Sequence, residues 1–111
     1  FKLDHIIEYV QAVTGWNTSL YELIKANERS QHMFRIFNSR EGFSKQDDML
    51  PDRFFEPMEN GALQGTSLSR ETFHQARETY YGMMGWDPET GIPTPAKLHE
   101  IGLSWAISES Q

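Results

Sequence analysis

The sequence predicts an all-α fold, a compact helical domain of about four helices with a long ordered loop between the second and third. Apolar residues recur at helical spacing in several stretches. Residues that start and stop helices bracket those stretches. Strand signals are missing, because alternation with a period of two does not occur and no Asn-Gly or Asp-Gly turn joins two β-branched runs. Asn60-Gly61 has Pro57 and Glu59 on one side and a Gly65 loop on the other.

Leu3, Ile6, Ile7 and Val10 fall at i, i+3, i+4 and i+7, the stripe of a helix that buries one face, and Thr14-Gly15 supplies its stop. Asn17, Thr18 or Ser19 caps a second helix, which carries Leu20, Leu23, Ile24, Asn27, Met33, Phe34 and Phe37 toward Asn38. Its polar middle predicts tertiary contacts. Gly42 marks the exit. From Phe43 to Leu68, Pro51, Pro57, Gly61 and Gly65 interrupt any period, so the segment reads as ordered loop with one helical turn near Pro51 to Phe55. Ser69 caps the third helix with Glu71 in its first turn, and Phe73, Ala76, Tyr80 and Met84 form its inner face until Gly85. Asp87-Pro88 makes a turn. Thr94 and Pro95 then open a short helix that runs to Ile101 before Gly102. Residues 104–111 read as a flexible tail, with Trp105 able to dock on the domain or on a neighbour. No internal repeat suggests a solenoid.

At 111 residues the chain fits a single domain, 1–111, with one core, short for an enzyme that holds a large cofactor. A net charge of −6 excludes a general nucleic-acid or anionic-membrane surface, which needs clustered Lys and Arg. The chain has no Cys, which removes disulfides, thiolate chemistry and iron–sulfur ligation from these residues. No apolar run approaches the roughly 20 residues that span a bilayer, and the start lacks a signal-peptide pattern, so a soluble, cytoplasmic setting is expected. The amphipathic pattern is already running by Leu3, which reads as a piece of something larger.

Candidate chemistry is sparse. His5, His32, His74 and His99 lie too far apart in sequence to form a local helical metal pair, and surface or packing roles outweigh ligation. Asp47, Asp48 and Asp52 supply oxygen ligands that suit a hard cation, but the EF-hand spacing is missing. Capping, or pairing with Arg40 and Arg53, is the stronger reading, and an Asp48 contact to one of those arginines would hold the loop shut. Arg40 and Glu41 are the best candidates for functional charge. Arg40 faces either an anionic cofactor or Asp48 and Asp52 across the loop, and the nearby acids favour pairing. Tyr80, Tyr81, Met83, Met84 and Trp86 form a helix-end core with a Trp plug in preference to a substrate wall. Phe54, Phe55 and Met58 anchor the loop on the core or contact another domain. No nucleophile triad, nucleophile elbow or phosphate-binding loop is present.

Three separated signatures point to one family. Asn38, Arg40, Glu41 and Gly42 form an Asn-x-Arg-Glu-Gly stretch, and Asp48, Leu50, Pro51 and Arg53 form an Asp-x-Leu-Pro-x-Arg stretch. The third runs from Tyr80 to Asp87 through Trp86, with Gly91-Ile92-Pro93-Thr94-Pro95 and Leu98 to Leu103 behind it. In order and spacing, over roughly residues 15–103, the chain resembles the C-terminal part of the aldehyde ferredoxin oxidoreductases, tungsten or molybdenum bis-pterin enzymes.

That resemblance implies a cytoplasmic parent oxidoreductase that converts aldehydes to carboxylic acids and passes electrons through a 4Fe-4S cluster to ferredoxin. It also implies that the last cluster-ligating Cys and a pterin-contacting stretch lie upstream of Phe1. No cofactor and no catalytic residue is therefore expected in this piece, which on its own is expected to be inactive. Its expected role is to help enclose cofactor and substrate channel. Asn38, Arg40, Glu41, Asp48, Arg53 and Trp86 are the structural or interface candidates. The expected partners are the remaining domains of the parent chain, with ferredoxin and aldehyde for the parent, and a homodimer through an uncovered apolar face. Two other readings stand beside it: a free-standing helical interaction module using the 43–68 loop, and a degenerate relative without the redox core.

Overall fold

The computed structural model describes residues 2–109 and has the all-α fold that the periodicity predicts. Its helices are α1 (Leu3–Thr14), α2 (Leu20–Arg40), α3 (Arg70–Met84) and α4 (Pro95–Glu100), with no strand among the described residues. Short 3-10 segments occupy Lys45–Asp47, Asp52–Phe55 and Ser104–Glu109.

The local signals act where the sequence places them. Ser19 caps α2 in a reciprocal box: its backbone N–H donates to the Glu22 carboxylate at 2.7 Å, and its hydroxyl accepts the Glu22 N–H at 3.3 Å. Ser69 and Thr94 cap α3 and α4 by accepting the N–H of Thr72 and Lys97. Gly15 and Gly85 close α1 and α3 in left-handed conformations.

The core is a cluster of buried residues. Ile36 from α2 packs with Leu98 and Ile101 of α4, Leu103, and Ala106 of the following 3-10 segment, with Ile107 against them. Residues 104–109, which the composition presents as a flexible tail, are therefore helical, and Ala106 is fully buried. A small side chain lets that turn close over Leu98 and Leu103. Residues 110 and 111 lie outside the described residues, and Trp105 is exposed.

Two helix faces differ from expectation. In α3 the inward positions are Phe73, Arg77, Tyr81 and Met84, whereas Ala76 and Tyr80 are exposed. Phe73 and Met84 stay inside, but the face is turned by about half a residue, roughly 50°, because Arg77 and Tyr81 bond to the loop across from it. In α2 the covered residues are Lys25, Glu28, His32, Arg35, Ile36 and Ser39. Of the set expected inside, Leu20 and Leu23 are half-buried, while Ile24, Asn27, Met33, Phe34 and Phe37 are exposed. The side of α2 that meets the domain is thus mostly polar around the buried Ile36, while Met33, Phe34 and Phe37 point outward, which an ordinary surface helix avoids.

α1 is amphipathic as predicted, yet none of its residues is buried; Ile6, Ile7 and Val10 are half-covered. The 43–68 loop is ordered by specific bonds, among them Gly65 N–H to Met58 O at 2.8 Å and Leu68 N–H to Phe54 O at 3.1 Å.

Candidate functional site

The best-defined polar site forms where α2, α3, the 45–50 loop and the turn before α4 meet. Arg35 donates to Asp48 through both terminal nitrogens, Nη1 to Oδ1 at 2.9 Å and Nη2 to Oδ2 at 2.5 Å. Such a fork-to-fork pair fixes geometry as well as charge. Tyr81 donates its hydroxyl to the same Oδ2. Arg35 also donates Nε–H to the Gly91 carbonyl at 2.8 Å and stacks its guanidinium 4.5 Å from the Trp86 ring centre. One arginine therefore holds a loop, a helix and a turn together.

A second arginine backs the loop. Arg77 donates Nη1–H to the carbonyls of Lys45 at 3.2 Å and Asp48 at 3.1 Å. Lys45 in turn bonds the 87–91 turn, its N–H to Thr90 O at 3.1 Å and its ammonium to Pro88 O at 2.7 Å. Trp86 completes the site, buried between His32, Tyr80 and Tyr81 with ring centres 5.7–5.9 Å away. Asp48, Arg35, Arg77, Tyr81 and Trp86 line a cavity of about 480 Å³, and the buried Nε of Arg77 and Nε1 of Trp86 lack an acceptor there.

Electrostatics follow from the contacts. Burial alone would raise the Asp48 carboxyl, but the hydrogen bonds from Arg35 and Tyr81 outweigh it and hold the group below the usual carboxylate range. Burial, reinforced by the bond to Asp48, pushes the Tyr81 phenol up to about 12. A separate ion cluster ties α2 to α4. Lys25 bonds Glu28 at 2.9 Å and Glu100 at 2.5 Å, while Lys97 bonds Glu28 and, at 3.2 Å, Glu100. Hydrogen bonds from Lys97 and Lys25 bring Glu28 down to about 2.

Of the six residues singled out in the sequence, Asp48 and Trp86 come together here. The partner expected for Asp48 was Arg40 or Arg53; the structure supplies Arg35 instead. Arg40 is the last residue of α2, beside the negative end of the helix dipole, and Glu41 is the C-cap. Arg53 sits in the Asp52–Phe55 turn with its guanidinium 5.3 Å from the Phe54 ring centre. Asn38 lies on the outer face of α2, and its carbonyl accepts the Phe43 N–H at 3.0 Å. Ser44 caps the Lys45–Asp47 turn and donates its backbone N–H to Asp47 Oδ2 at 2.8 Å, the reciprocal half of a capping box, and Asp52 pairs with Arg70 at 2.9 Å.

Arg35 and Arg77 were not read from the sequence; Tyr81 was read as helix-end core, where it is buried, without its bond to Asp48, and Gly91 only as part of the third motif. A signal existed for Arg35, since Glu28, His32, Arg35 and Ser39 recur at i, i+4, i+7 and i+11, a polar stripe with helical period. His32, read as a packing or surface residue, is fully buried, its ring nitrogens 2.7 and 3.1 Å from the carbonyls of Glu28 and Met84.

The chain and its architecture have counterparts in known proteins. The family model described as aldehyde ferredoxin oxidoreductase, domains 2 & 3, matches residues 1–103. The chain belongs to the aldehyde ferredoxin oxidoreductase family. A tungsten-containing aldehyde ferredoxin oxidoreductase of Pyrococcus furiosus is 31% identical over 103 residues, 91% of this chain and 16% of that protein. The aliphatic sulfonate oxidoreductase, WOR-like subunit, of the same organism is 32% identical over 112 residues, 96% of this chain and 18% of its own length. Among solved structures, the active site complex BamBC of benzoyl coenzyme A reductase, in complex with 1,5 dienoyl-CoA, matches with a TM-score of 0.79 at 25% identity. It covers 98% of this chain and 15% of that one. The chain thus spans less than a fifth of the length of these relatives.

The described residues offer no ligand set for a metal ion or an iron–sulfur cluster. The chain has no Cys, and among the described residues no group of three or more His, Asp or Glu is gathered to hold an ion. The charges of the node are directed at one another and at main-chain carbonyls, apart from the Arg77 Nε.

Proposed function

We propose that this chain is the C-terminal helical part of an aldehyde:ferredoxin oxidoreductase and that it helps enclose the cofactor and the substrate channel of the parent enzyme. The parent reaction is RCHO + H2O → RCOO− + 3 H+ + 2 e−, with the electrons leaving through a 4Fe-4S cluster to ferredoxin. The match of the aldehyde ferredoxin oxidoreductase model over residues 1–103 carries this reading.

A bis-pterin tungsten or molybdenum centre supplies the redox chemistry in the parent, from residues outside this chain. Within the chain, the Arg35–Asp48–Tyr81 node keeps the 45–50 loop on α2 and α3, a rigid wall of the kind that encloses a site. The isolated piece is inactive in this reading, and the setting is the cytoplasm.

The test is to express the full reading frame anaerobically with tungstate and molybdate supplied, then measure metals and dye reduction in one sample. Tungsten or molybdenum with about four irons per chain, and aldehyde-dependent reduction of a low-potential dye, is the expected result. Because one relative is named for aliphatic sulfonates, a short alkyl sulfonate belongs in the substrate panel. Turnover of the sulfonate alone would replace the aldehyde. A metal-free, inactive protein despite cofactor supply would overturn the reading.

A further inference from the structure

We propose that the outward face of α2, centred on Met33, Phe34 and Phe37, is an intramolecular docking surface covered in the parent enzyme by another, apolar segment of the same polypeptide. The inference rests on the reading of this chain as part of a larger enzyme and names the face that the rest of the chain would cover.

Three observations carry it. First, α2 is apolar on a side that this domain does not cover. Its domain side holds Ile36, 2% exposed, among Lys25, Glu28, His32 and Arg35, whereas Met33, Phe34 and Phe37 on the far side are 46%, 71% and 61% exposed. A helix whose only partner was this domain would keep that far side polar. An apolar far side is stable when apolar material covers it.

Second, these residues line one concave patch. With Ser30 and Asn38 they bound a cavity of about 480 Å³ that has no charged residue in its wall. That lining suits an uncharged apolar side chain or helix face, with the Ser30 and Asn38 side chains left to bond at the rim.

Third, the molecule has far more surface than its own mass requires. It exposes 8274 Å², against about 6,300 Å² for a self-contained monomer of 12.9 kDa. Its radius of gyration is 18.6 Å, against about 13 Å for a compact chain of this length. The difference, on the order of 2,000 Å², is what a large domain interface buries. In the relatives this region is only 16–18% of the polypeptide, so ample chain exists to cover it in cis.

Methionine oxidation reads this face without reference to activity, because peroxide converts an accessible thioether to sulfoxide and a covered one resists. The full-length protein is treated with dilute hydrogen peroxide, native and in urea, and Met33 sulfoxide is followed by peptide mass spectrometry. The expected result is a Met33 rate more than about tenfold below the urea rate, unchanged when the protein is diluted a hundredfold. A native rate within about threefold of the urea rate shows an open face and overturns the proposal. Protection that disappears on dilution assigns the face to a second copy and overturns it equally. Metal analysis of the same sample reports on the parent reading separately, since Met33 can be covered in a protein that holds no tungsten, and exposed in one that does.

Discussion

Asp48 is the residue on which most of the site depends. Its carboxylate accepts from Arg35 twice and from Tyr81 once, and the backbone beside it accepts from Arg77. Replacing Asp48 with Ala leaves the Arg35 guanidinium half-covered and without its counter-charge, at an expected cost of about 2 kcal/mol in a urea or guanidinium titration. Tyr81→Phe removes one bond and is expected to cost about 1 kcal/mol. Because both act on the same oxygen, the double variant should lose less than the sum of the two. An Asp48→Ala variant with an unchanged midpoint would remove the bracing role.

At the scale of elements, the 86–94 turn shows how a loop is held by what surrounds it. Gly91 has φ +72°, and a Cβ there would stand 2.5 Å from Arg35 Nη2 and 2.9 Å from the Tyr81 hydroxyl. Gly102 has nearly the same backbone, φ +76°, but its nearest neighbour would be Arg29 Nε at 3.9 Å. Gly102→Ala should therefore cost only the left-handed backbone penalty, about 1–2 kcal/mol. Gly91→Ala should cost more, by a further 1 kcal/mol or about that, because the Arg35 fork must also move. Equal midpoints for the two variants in denaturant would show that the turn yields without disturbing the node.

For the whole molecule, acid and alkaline limits follow from different groups. Glu28 is held at about 2 against an ordinary 4.5, and Asp48 lies below its ordinary 3.8. Depressed carboxyls stabilise the fold at pH above their unfolded values, and that stability is lost as pH falls through the folded ones. Tyr81 runs the other way: raised from 10.0 to about 12, it stabilises below pH 10 and loses its contribution as the pH climbs toward 12. Thermal melting should be level between about pH 5 and 9 and fall on either side. Tyr81→Phe should remove part of the alkaline fall while leaving the acid one; an unaltered alkaline limb in that variant would contradict the assignment.

Local physical chemistry fixes much of this fold. Helix starts at Ser19, Ser69 and Thr94 and stops at Gly15 and Gly85 were legible because a cap hydroxyl or a left-handed glycine acts on groups within a few residues. The three motif stretches likewise placed the chain in its family before any contact was known. What the sequence could not decide was which face of each helix meets the domain. Periodicity assigns Met33, Phe34 and Phe37 to a buried side, but it does not say whether this chain or another segment buries them. Nor does it choose among Arg35, Arg40 and Arg53 as the partner of Asp48. That choice depends on where a loop lands against a helix 13 residues away in sequence and a turn 56 residues from Arg35, and only the tertiary structure sets those distances.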